Sequence, residues 1–322
     1  MKISVIAIFY KSAPYAKKCI DSILSQKMVN GMELELIAVN DCSPDETLSI
    51  LQSYGDKRLK IISHEKNMGI SAARNTGLSH VTGDCFFFID GDDFLPENAL
   101  ANLASYYASD VDWVSGAYAM CDPNGEVEKV NRRGFCNSSN KDAIMSDFGN
   151  HEFIYTHNKL INSKHKDIRF PIGKAHEDRF WNVGVFSRLN HIVNIDEPTY
   201  CYIMRPTSFS SQSRATSMYI DSAVQLIKRM QDLPCCWNVL KWTFMITAVE
   251  KNLYLWKWER CYRKKVLAEI VPMALQCTMN IDGFPRFTKL IHKMIKAGVH
   301  DSVIEAISSI YRFVNQLSKR PV

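Results

Sequence analysis

The first 110 residues alternate short, continuous apolar runs with segments of helical periodicity. Four runs are strand-like: residues 3–9, 34–39, 59–62 and 85–89. They are continuous rather than alternating, which is typical of strands buried on both faces. Between them lie two helical faces, formed by Cys19, Ile20, Ile23 and Leu24 and by Leu48, Leu51 and Tyr54. The pattern predicts repeated βα units and hence a mostly parallel sheet.

Cap and turn signals set further boundaries. Ser43-Pro44-Asp45-Glu46 predicts a helix start, with a capping serine and a proline in the first position. Pro96-Glu97 predicts a helix that runs through Tyr107. The remaining expectations are strands at 113–120 and 127–130 around a turn at 122–125, a helix from Glu177 to about Ser187, and strands at 192–195 and 199–204.

These elements predict an α/β fold, a Rossmann-like sheet flanked by helices, followed by a helical subdomain. We expect one domain over residues 1–215, with a first half (1–110) and a second half (111–215), and then a helical, basic region at 216–322. With 322 residues, 46% of them hydrophobic, the chain can bury a substantial core. Residues 221–322 contain 16 Lys+Arg against 8 Asp+Glu, or +8, which leaves 23 against 26, or −3, for the rest. The basic character therefore belongs to the tail.

Cysteine usage and hydropathy indicate the cellular compartment. The ten cysteines form no C-x-x-C pair, so we interpret them as reduced thiols rather than as zinc or redox ligands. The apolar run at 242–249 is far shorter than the roughly 20 residues that span a bilayer. We expect a cytoplasmic protein.

The tail leaves two interpretations open. Its tryptophans, among them Trp256 and Trp258, alternate with lysines and arginines. Such a segment packs as a helical subdomain on the preceding domain or on a second copy in a homodimer, or it lies on an anionic membrane surface. We favour packing for most of the aromatic residues and expect weak peripheral attachment at the inner face of the membrane. No nucleic-acid-binding motif accompanies the charge, so no nucleic-acid partner is expected.

Two acidic clusters carry most of the chemical information. Asp90-Gly91-Asp92-Asp93 ends a buried strand, and His176-Glu177-Asp178 precedes an apolar helix face. Like charges at carboxylate separations repel by about 1 kcal/mol in water and about 4 kcal/mol at an effective dielectric near 20. Because carboxylates suit hard cations, the first cluster predicts a site for Mg²⁺ or Mn²⁺ and a phosphate-bearing ligand. A solvated, acid-capped loop is the alternative.

The other candidate positions also have two interpretations. Asp41 ends a buried strand and is either a helix cap or a ligand-binding acid. The segment 67–75 combines a glycine turn with small residues at a helix start, which suits a diphosphate with Arg74 as the counter-charge. The acids at 176–178 either cap a helix or supply a carboxylate that accepts a proton from an attacking hydroxyl.

Together the motifs resemble the family 2 glycosyltransferases. The matching segments are I-S-V-I-A-I-F-Y at 3–10, N-D-C-S at 40–43, N-M-G-I-S-A-A-R-N at 67–75, D-G-D-D at 90–93 and H-E-D at 176–178, in the family's order over roughly residues 1–210. The resemblance implies a GT-A fold, a nucleotide-sugar donor (UDP by resemblance), Mn²⁺ or Mg²⁺, inversion at the anomeric carbon, and a place in bacterial surface polysaccharide synthesis, lipopolysaccharide or capsule included.

The resemblance makes residues 1–215 the catalytic domain, with 1–110 as the nucleotide-binding half and 111–215 as the acceptor-side half. It also assigns roles by position. Asp178 matches the catalytic base, and Asp92, with Asp90, matches the metal-binding pair. The donor-binding positions are Phe9, Tyr10, Asp41, Asn67, Arg74, Asp90, Gly91 and Asp92. The acceptor-side positions are His176, Glu177, Lys159 and Arg205. The chain departs from the family pattern at Ile8, Lys11, Cys42 and Gly91; Cys42 replaces a glycine and Gly91 replaces a small serine or alanine.

Other functions fit the sequence less well. A non-catalytic module that binds a nucleotide sugar or glycan is the alternative from another class of protein. A sugar nucleotidyltransferase shares the α/β core, but the first strand is not followed by a glycine-rich basic loop for a triphosphate. A dinucleotide dehydrogenase is disfavoured because no G-x-G-x-x-G follows that strand.

Overall fold

The computed structural model describes residues 1–28, 31–132, 134–140, 155–174 and 177–205, together with residue 225. Apart from residue 225, these belong to one compact unit, Met1–Ser213. His176 lies outside the described residues, as do the tail tryptophans and lysines on which the membrane and dimer predictions depend.

The described residues form nine strands, five α-helices and a short 3₁₀ turn at Ser163–His165. The strands are β1 Lys2–Phe9, β2 Glu33–Asn40, β3 Leu59–Ser63, β4 Cys85–Asp90, β5 Trp113–Cys121, β6 Val127–Asn131, β7 Cys136–Ser138, β8 Lys159–Asn162 and β9 Ile192–Ile203. The helices are α1 Ala13–Leu24, α2 Thr47–Gln52, α3 Ile70–Ser79, α4 Ala99–Ala104 and α5 Glu177–Phe186.

One sheet contains all nine of these strands. Its order is β3-β2-β1-β4-β8-β5-β9-β7, and β6 pairs with β5 beside β8. The first four strands are parallel, while β8 runs antiparallel between β4 and β5. The prediction of a parallel sheet is thus confirmed for the first half, and the second half is mixed. Because β1, β2 and β4 are parallel neighbours, their carboxyl ends meet at one edge, where ligands of such sheets bind.

The central strand β4 is buried on both faces, which explains its unbroken apolar run. Phe87 faces the core that α1 and α4 cover. Phe86 and Phe88 face the opposite side, where the indole of Trp181 on α5 lies edge-on at centroid distances of 6.3 and 5.6 Å. Trp181 is fully buried. Its packing fixes α5 against the sheet, with Glu177 in the helix's first turn.

Three predicted boundaries are wrong for identifiable reasons. Helix α2 begins at Thr47, because Asp45 uses its carboxylate to accept the backbone N–H groups of Ala13 and Thr47, both at 3.2 Å. Helix α4 is shorter than predicted, Ala99–Ala104. The two late strands are one strand, β9, because the gap predicted at 196–198 is absorbed by register shifts on both sides of Ala117. Within the described residues, no helix has the length and apolarity needed to cross a membrane.

Candidate active site

Three strand ends form the floor of the candidate site. Phe9 is buried at the end of β1, and the next residue, Tyr10, is exposed. Asp90 ends β4 opposite Ile8, and the Gly91 N–H donates to the Ile8 carbonyl at 2.8 Å. A Cβ on Gly91 would lie 2.3 Å from a ring carbon of Phe9 and 2.7 Å from the Ile8 carbonyl oxygen. A residue with no side chain is therefore required where the acidic loop crosses β1.

Asp41 holds the loop that leads into α3. Its carboxylate accepts the backbone N–H groups of Met68 at 2.8 Å and Gly69 at 2.7 Å, and it faces Nδ1 of His64 at 2.7 Å. The residue is only 2% exposed. Asn67 beside it is exposed, and its amide donates to the Asp41 carbonyl at 3.4 Å. Asp41 therefore does not cap α2, the helix that follows it in sequence; it binds the amides of the loop before α3. Its interpretation as a ligand-binding acid stays a prediction.

The first acidic cluster separates into two kinds of carboxylate. Asp93 is buried: it accepts the Tyr200 hydroxyl at 2.6 Å and the Ile203 N–H at 2.8 Å. Burial and the charge of Asp90 raise the pKa of Asp93 well above its usual range. This acid ties the loop to β9, a folding role that accounts for one of the three like charges.

Asp90 and Asp92 remain accessible and are each paired with an arginine. The side chain of Asp90 is 34% exposed and accepts from Nη2 of Arg74 at 3.1 Å. The side chain of Asp92 is 27% exposed and is ion-paired with Arg205, whose guanidinium lies over the Tyr15 ring at 4.8 Å. Within the described residues, no group of three or more His, Cys, Asp or Glu side chains is arranged to hold a metal ion. Two accessible carboxylates nevertheless fit a hard cation that completes its coordination with ligand phosphates and water.

Arg74 connects the two acidic clusters. Its Nη1 donates to Oε1 of Glu177 at 2.8 Å while its Nη2 donates to Asp90. The residue is 5% exposed, and its guanidinium lies over the Phe170 ring at 5.3 Å. Among the described atoms, its Nε–H has no hydrogen-bond partner, and leaving such a donor buried costs about 1–3 kcal/mol. This donor marks a place for a polar ligand atom or water.

Asp178 lies beside Glu177 in the first turn of α5. It is partly buried, and Oδ1 accepts the Arg179 N–H at 2.8 Å. Burial and the negative charge of Glu177 raise the pKa of Asp178 to about 7, against the opposing effects of Arg179 and Arg74. A carboxyl group with a pKa near neutrality is suited to general acid–base chemistry.

The four acceptor-side positions are placed differently. Glu177 lies in the site, Arg205 pairs with Asp92, and His176 is outside the described residues. Lys159 is fully buried, and its ammonium donates to the carbonyls of Tyr155 and His157 at 2.8 and 3.2 Å. It lies beneath the surface and holds the chain that enters β8.

Sequence reasoning missed two aromatic residues of this region. The Tyr200 hydroxyl donates to Asp93 and accepts the Asp90 N–H at 3.2 Å, so it fixes the acidic loop from β9. Phe170 lies under Arg74 and stacks on Trp181 at a centroid distance of 5.0 Å. A tyrosine in an apolar strand needs a buried partner for its hydroxyl, which is the signal that could have pointed to Tyr200. Phe170 has no comparable signal.

This chain is similar to known glycosyltransferases. The model of the family "Glycosyl transferase family 2" matches residues 4–169. The glycosyltransferase GlyA of Streptococcus pneumoniae is 29% identical over 223 residues, 65% of this chain and 31% of GlyA. EpsJ of Bacillus subtilis, an uncharacterized glycosyltransferase, is 28% identical over 65% of this chain and 62% of its own length. The Staphylococcus aureus poly(ribitol-phosphate) beta-N-acetylglucosaminyltransferase TarS is 29% identical over 63% of this chain and 35% of TarS.

Solved structures agree on the architecture. Residues 1–349 of S. aureus TarS, in complex with UDP-GlcNAc, superpose with a TM-score of 0.76 at 21% identity, covering 97% of this chain and 92% of that one. A mannosyltransferase from Pyrobaculum calidifontis, in complex with GDP-Man and Mn²⁺, superposes with a TM-score of 0.52 at 16% identity, covering 87% of this chain and 88% of that one. The alignments with GlyA, EpsJ and TarS thus cover between 31% and 62% of those relatives. From the family match and the architecture, the chain belongs to glycosyltransferase family 2 and has the GT-A fold.

Proposed function

We propose that this protein transfers a hexosyl or hexosaminyl group from a UDP-sugar to a hydroxyl of a glycan or lipid-linked acceptor, with inversion at the anomeric carbon. The observation that carries the proposal is the bridge from Asp90 through Arg74 to Glu177, which brings a donor-side acid and the acid pair of α5 to one place. TarS, a family relative, is named for transfer of N-acetylglucosamine and has been solved with UDP-GlcNAc.

The donor would lie over the carboxyl ends of β1, β2 and β4. In this proposal the nucleoside contacts Phe9, Tyr10 and the loop that Asp41 holds, and the diphosphate lies near Asp90 and Asp92. The Nε–H of Arg74, which has no partner among the described atoms, supports this placement, because a diphosphate oxygen could accept from it.

A divalent cation, Mn²⁺ or Mg²⁺, would be held by Asp92, with Asp90 as a second candidate ligand. When bound, such an ion neutralises charge on a departing nucleoside diphosphate. The carboxylates of Asp90 and Asp92 fit such an ion, because both are accessible. Asp93 is not a candidate ligand, because its carboxylate already accepts from Tyr200 and Ile203. Arg205 would leave Asp92 when the cation binds.

Asp178 acts as the general base in this mechanism. The acceptor hydroxyl oxygen attacks the anomeric carbon, its proton passes to the Asp178 carboxylate, and the bond from that carbon to the diphosphate oxygen breaks. One glycosidic bond forms, one sugar–phosphate bond breaks, and the nucleoside diphosphate leaves with the electron pair. A pKa raised to about 7 suits this task, since about half of the groups are ionised near neutral pH and each of these accepts a proton readily.

The test is release of nucleoside diphosphate from a panel of nucleotide sugars with Mn²⁺, with and without saccharide acceptors. Asp178→Asn should leave donor binding intact in titration calorimetry and reduce single-turnover transfer by about 10²- to 10⁴-fold. Asp167→Asn is a matched control, because Asp167 is an exposed acid paired with Arg188. Donor binding without diphosphate release would instead identify a binding module, and pyrophosphate formed from a nucleoside triphosphate and a sugar phosphate would identify a nucleotidyltransferase.

We also propose that the basic region 216–322 attaches the protein weakly to an anionic membrane surface, where lipid-linked acceptors would reside. The support is its sequence alone: a net charge of +8 over residues 221–322, with interspersed tryptophans. Sedimentation with phosphatidylglycerol vesicles at low salt tests it, and a protein that stays in the supernatant overturns it. Light scattering of the same sample tests the alternative, that this region pairs two copies of the chain in a homodimer.

A further inference from the structure

The surroundings of Asp178 contain charges from several elements. Helix α5 supplies Glu177 and Arg179, and α3 supplies Arg74, with Asp90 of β4 on its far side. The segment before β8 contacts α5 one turn further on, where the Asn182 amide donates to the Tyr155 carbonyl at 3.3 Å. The phenol of Tyr155 also acts on the charge of Arg179. Arg74 joins two of these acids, Asp90 and Glu177.

The position of Arg74 is fixed by packing. Gly77, one turn along α3, has so little room that a Cβ there would lie 2.2 Å from the Ile6 side chain, so α3 lies directly on β1. Phe170 lies against the guanidinium and stacks on Trp181 of α5, with rings 4° from parallel. The arginine is therefore held between the sheet and α5, and its planar fork reaches both carboxylates, which a lysine could not do in the same way.

We infer that Arg74 is a positioning residue for the base: its buried guanidinium holds Asp90 and Glu177 together, so that the donor-side and acceptor-side acids share one positive charge. The base assignment rests on the proposed function, whereas the charge arrangement does not. A cation or ligand that neutralises Asp90 leaves more of the positive charge of Arg74 to act on the α5 acids.

This role differs from simple structural bracing in a measurable way. Negative charge on Glu177 opposes ionisation of Asp178, whereas positive charge on Arg74 favours it. Glu177→Gln and Arg74→Gln both break the same 2.8 Å ion pair, yet they change the field at Asp178 in opposite directions. A bracing role alone predicts that both variants act alike, because both lose one contact.

The experiment is a ¹³C-carboxyl NMR titration of Asp178, assigned by the signal lost in Asp178→Asn, with no donor or acceptor present. Relative to wild type, Glu177→Gln should lower the Asp178 pKa and Arg74→Gln should raise it, each by about one unit. Asp56→Asn is the matched control, since Asp56 pairs with Arg58 ahead of β3, away from the carboxyl ends, and should produce no shift. Shifts of one sign for both variants, or no shift, overturn the inference.

A second set of variants tests the sharing of charge and guards against misfolding. Asp90→Asn should lower the Asp178 pKa when Arg74 is present and have a smaller effect when combined with Arg74→Gln. Arg74→Lys keeps the charge, so it should leave the Asp178 pKa within about half a unit of wild type. If Arg74→Gln does not fold, Glu177→Gln and Asp90→Asn still decide the matter, because both must lower the pKa. Since this titration needs no transfer reaction, its failure is distinct from failure of diphosphate release.

Discussion

Arg74 and Glu177, 103 positions apart in the chain, form an ion pair of 2.8 Å between α3 and the first turn of α5. Because Arg74 also binds Asp90, this pair joins the loop after β4 to the start of α5. Neither acidic cluster alone indicates an enzyme, since each has an explanation as a cap or a solvated loop. Capping does not explain why both clusters contact the same buried arginine.

The raised pKa of Asp178 predicts a pH dependence of stability. The pKa of Asp178 is about 7 in the folded protein, against an ordinary value of 3.8. Asp178 therefore contributes stability that is fully present below about pH 4 and is lost as the pH rises through 7. In Asp178→Asn this loss is absent. In urea titrations, the free energy of unfolding of the variant minus that of wild type should therefore increase between pH 4 and pH 7.5. Asp93 has the same sign but is present in both proteins, so it cancels; a difference independent of pH would contradict the prediction.

The ion pair between Arg205 and Asp92 predicts competition with a metal. The Arg205 guanidinium is paired with the carboxylate that, in the proposed function, would bind the cation. Arg205→Ala should strengthen Mn²⁺ binding about fivefold, the equivalent of about 1 kcal/mol for a partly exposed pair, and Asp92→Ala should abolish it. Electron paramagnetic resonance of free Mn²⁺ measures both changes. Arg188→Ala, which removes an exposed arginine paired with Asp167, should leave the affinity unchanged; weaker binding in Arg205→Ala would refute the competition.

The bonds of Asp41 predict a stability effect that needs no nucleotide. Replacing the carboxylate by an amide leaves one oxygen to accept two backbone N–H groups, those of Met68 and Gly69. Asp41→Asn should lower the free energy of unfolding by about 2 kcal/mol, as expected for a lost hydrogen bond to a charged group. Asn67→Ala is the control: it is exposed and makes only a 3.4 Å contact to the Asp41 carbonyl, so it should change stability by less than about 0.5 kcal/mol. Equal losses in the two variants would show that the carboxylate is not the anchor.

The first four strands could be predicted to within a residue or so. A strand buried on both faces leaves an uninterrupted apolar run, as in β4. The edge strand β3 is only partly buried, and its signal is Leu59, Ile61 and Ile62 around an exposed lysine. The start of α2 could not be predicted, because Asp45 and Pro44 look like a helix start in sequence but serve a loop that binds Ala13. Partners distant in sequence were equally hidden. Nothing near Asp93 indicates that Tyr200 will take its carboxylate, and nothing near Arg74 indicates Glu177.

Two departures from the family pattern became interpretable only with the backbone. Cys42 has a φ of 53°, in the left-handed region where a side chain is disfavoured by about 1–2 kcal/mol, so the family's glycine at this position has a conformational reason. Gly91 is the reverse case: it is a glycine where the family has a small side chain, and the neighbouring Phe9 leaves no room for one.

Gly91 therefore predicts that the family's usual residue would be harmful in this chain. Alanine at this position would place its Cβ against the Phe9 ring and the Ile8 carbonyl, and the backbone carbonyl cannot move without disturbing β1. We expect Gly91→Ala to lower the free energy of unfolding by about 1–3 kcal/mol, as overpacking does, and to weaken donor binding because the loop that bears Asp90 and Asp92 shifts. Urea denaturation and calorimetry measure the two effects. Gly55→Ala is the matched control, because nothing lies within 4 Å of its Cβ, so it should be neutral or stabilising by up to about 1 kcal/mol. If Gly91→Ala is as stable as Gly55→Ala, the close approach of Phe9 is not the reason for glycine at this position.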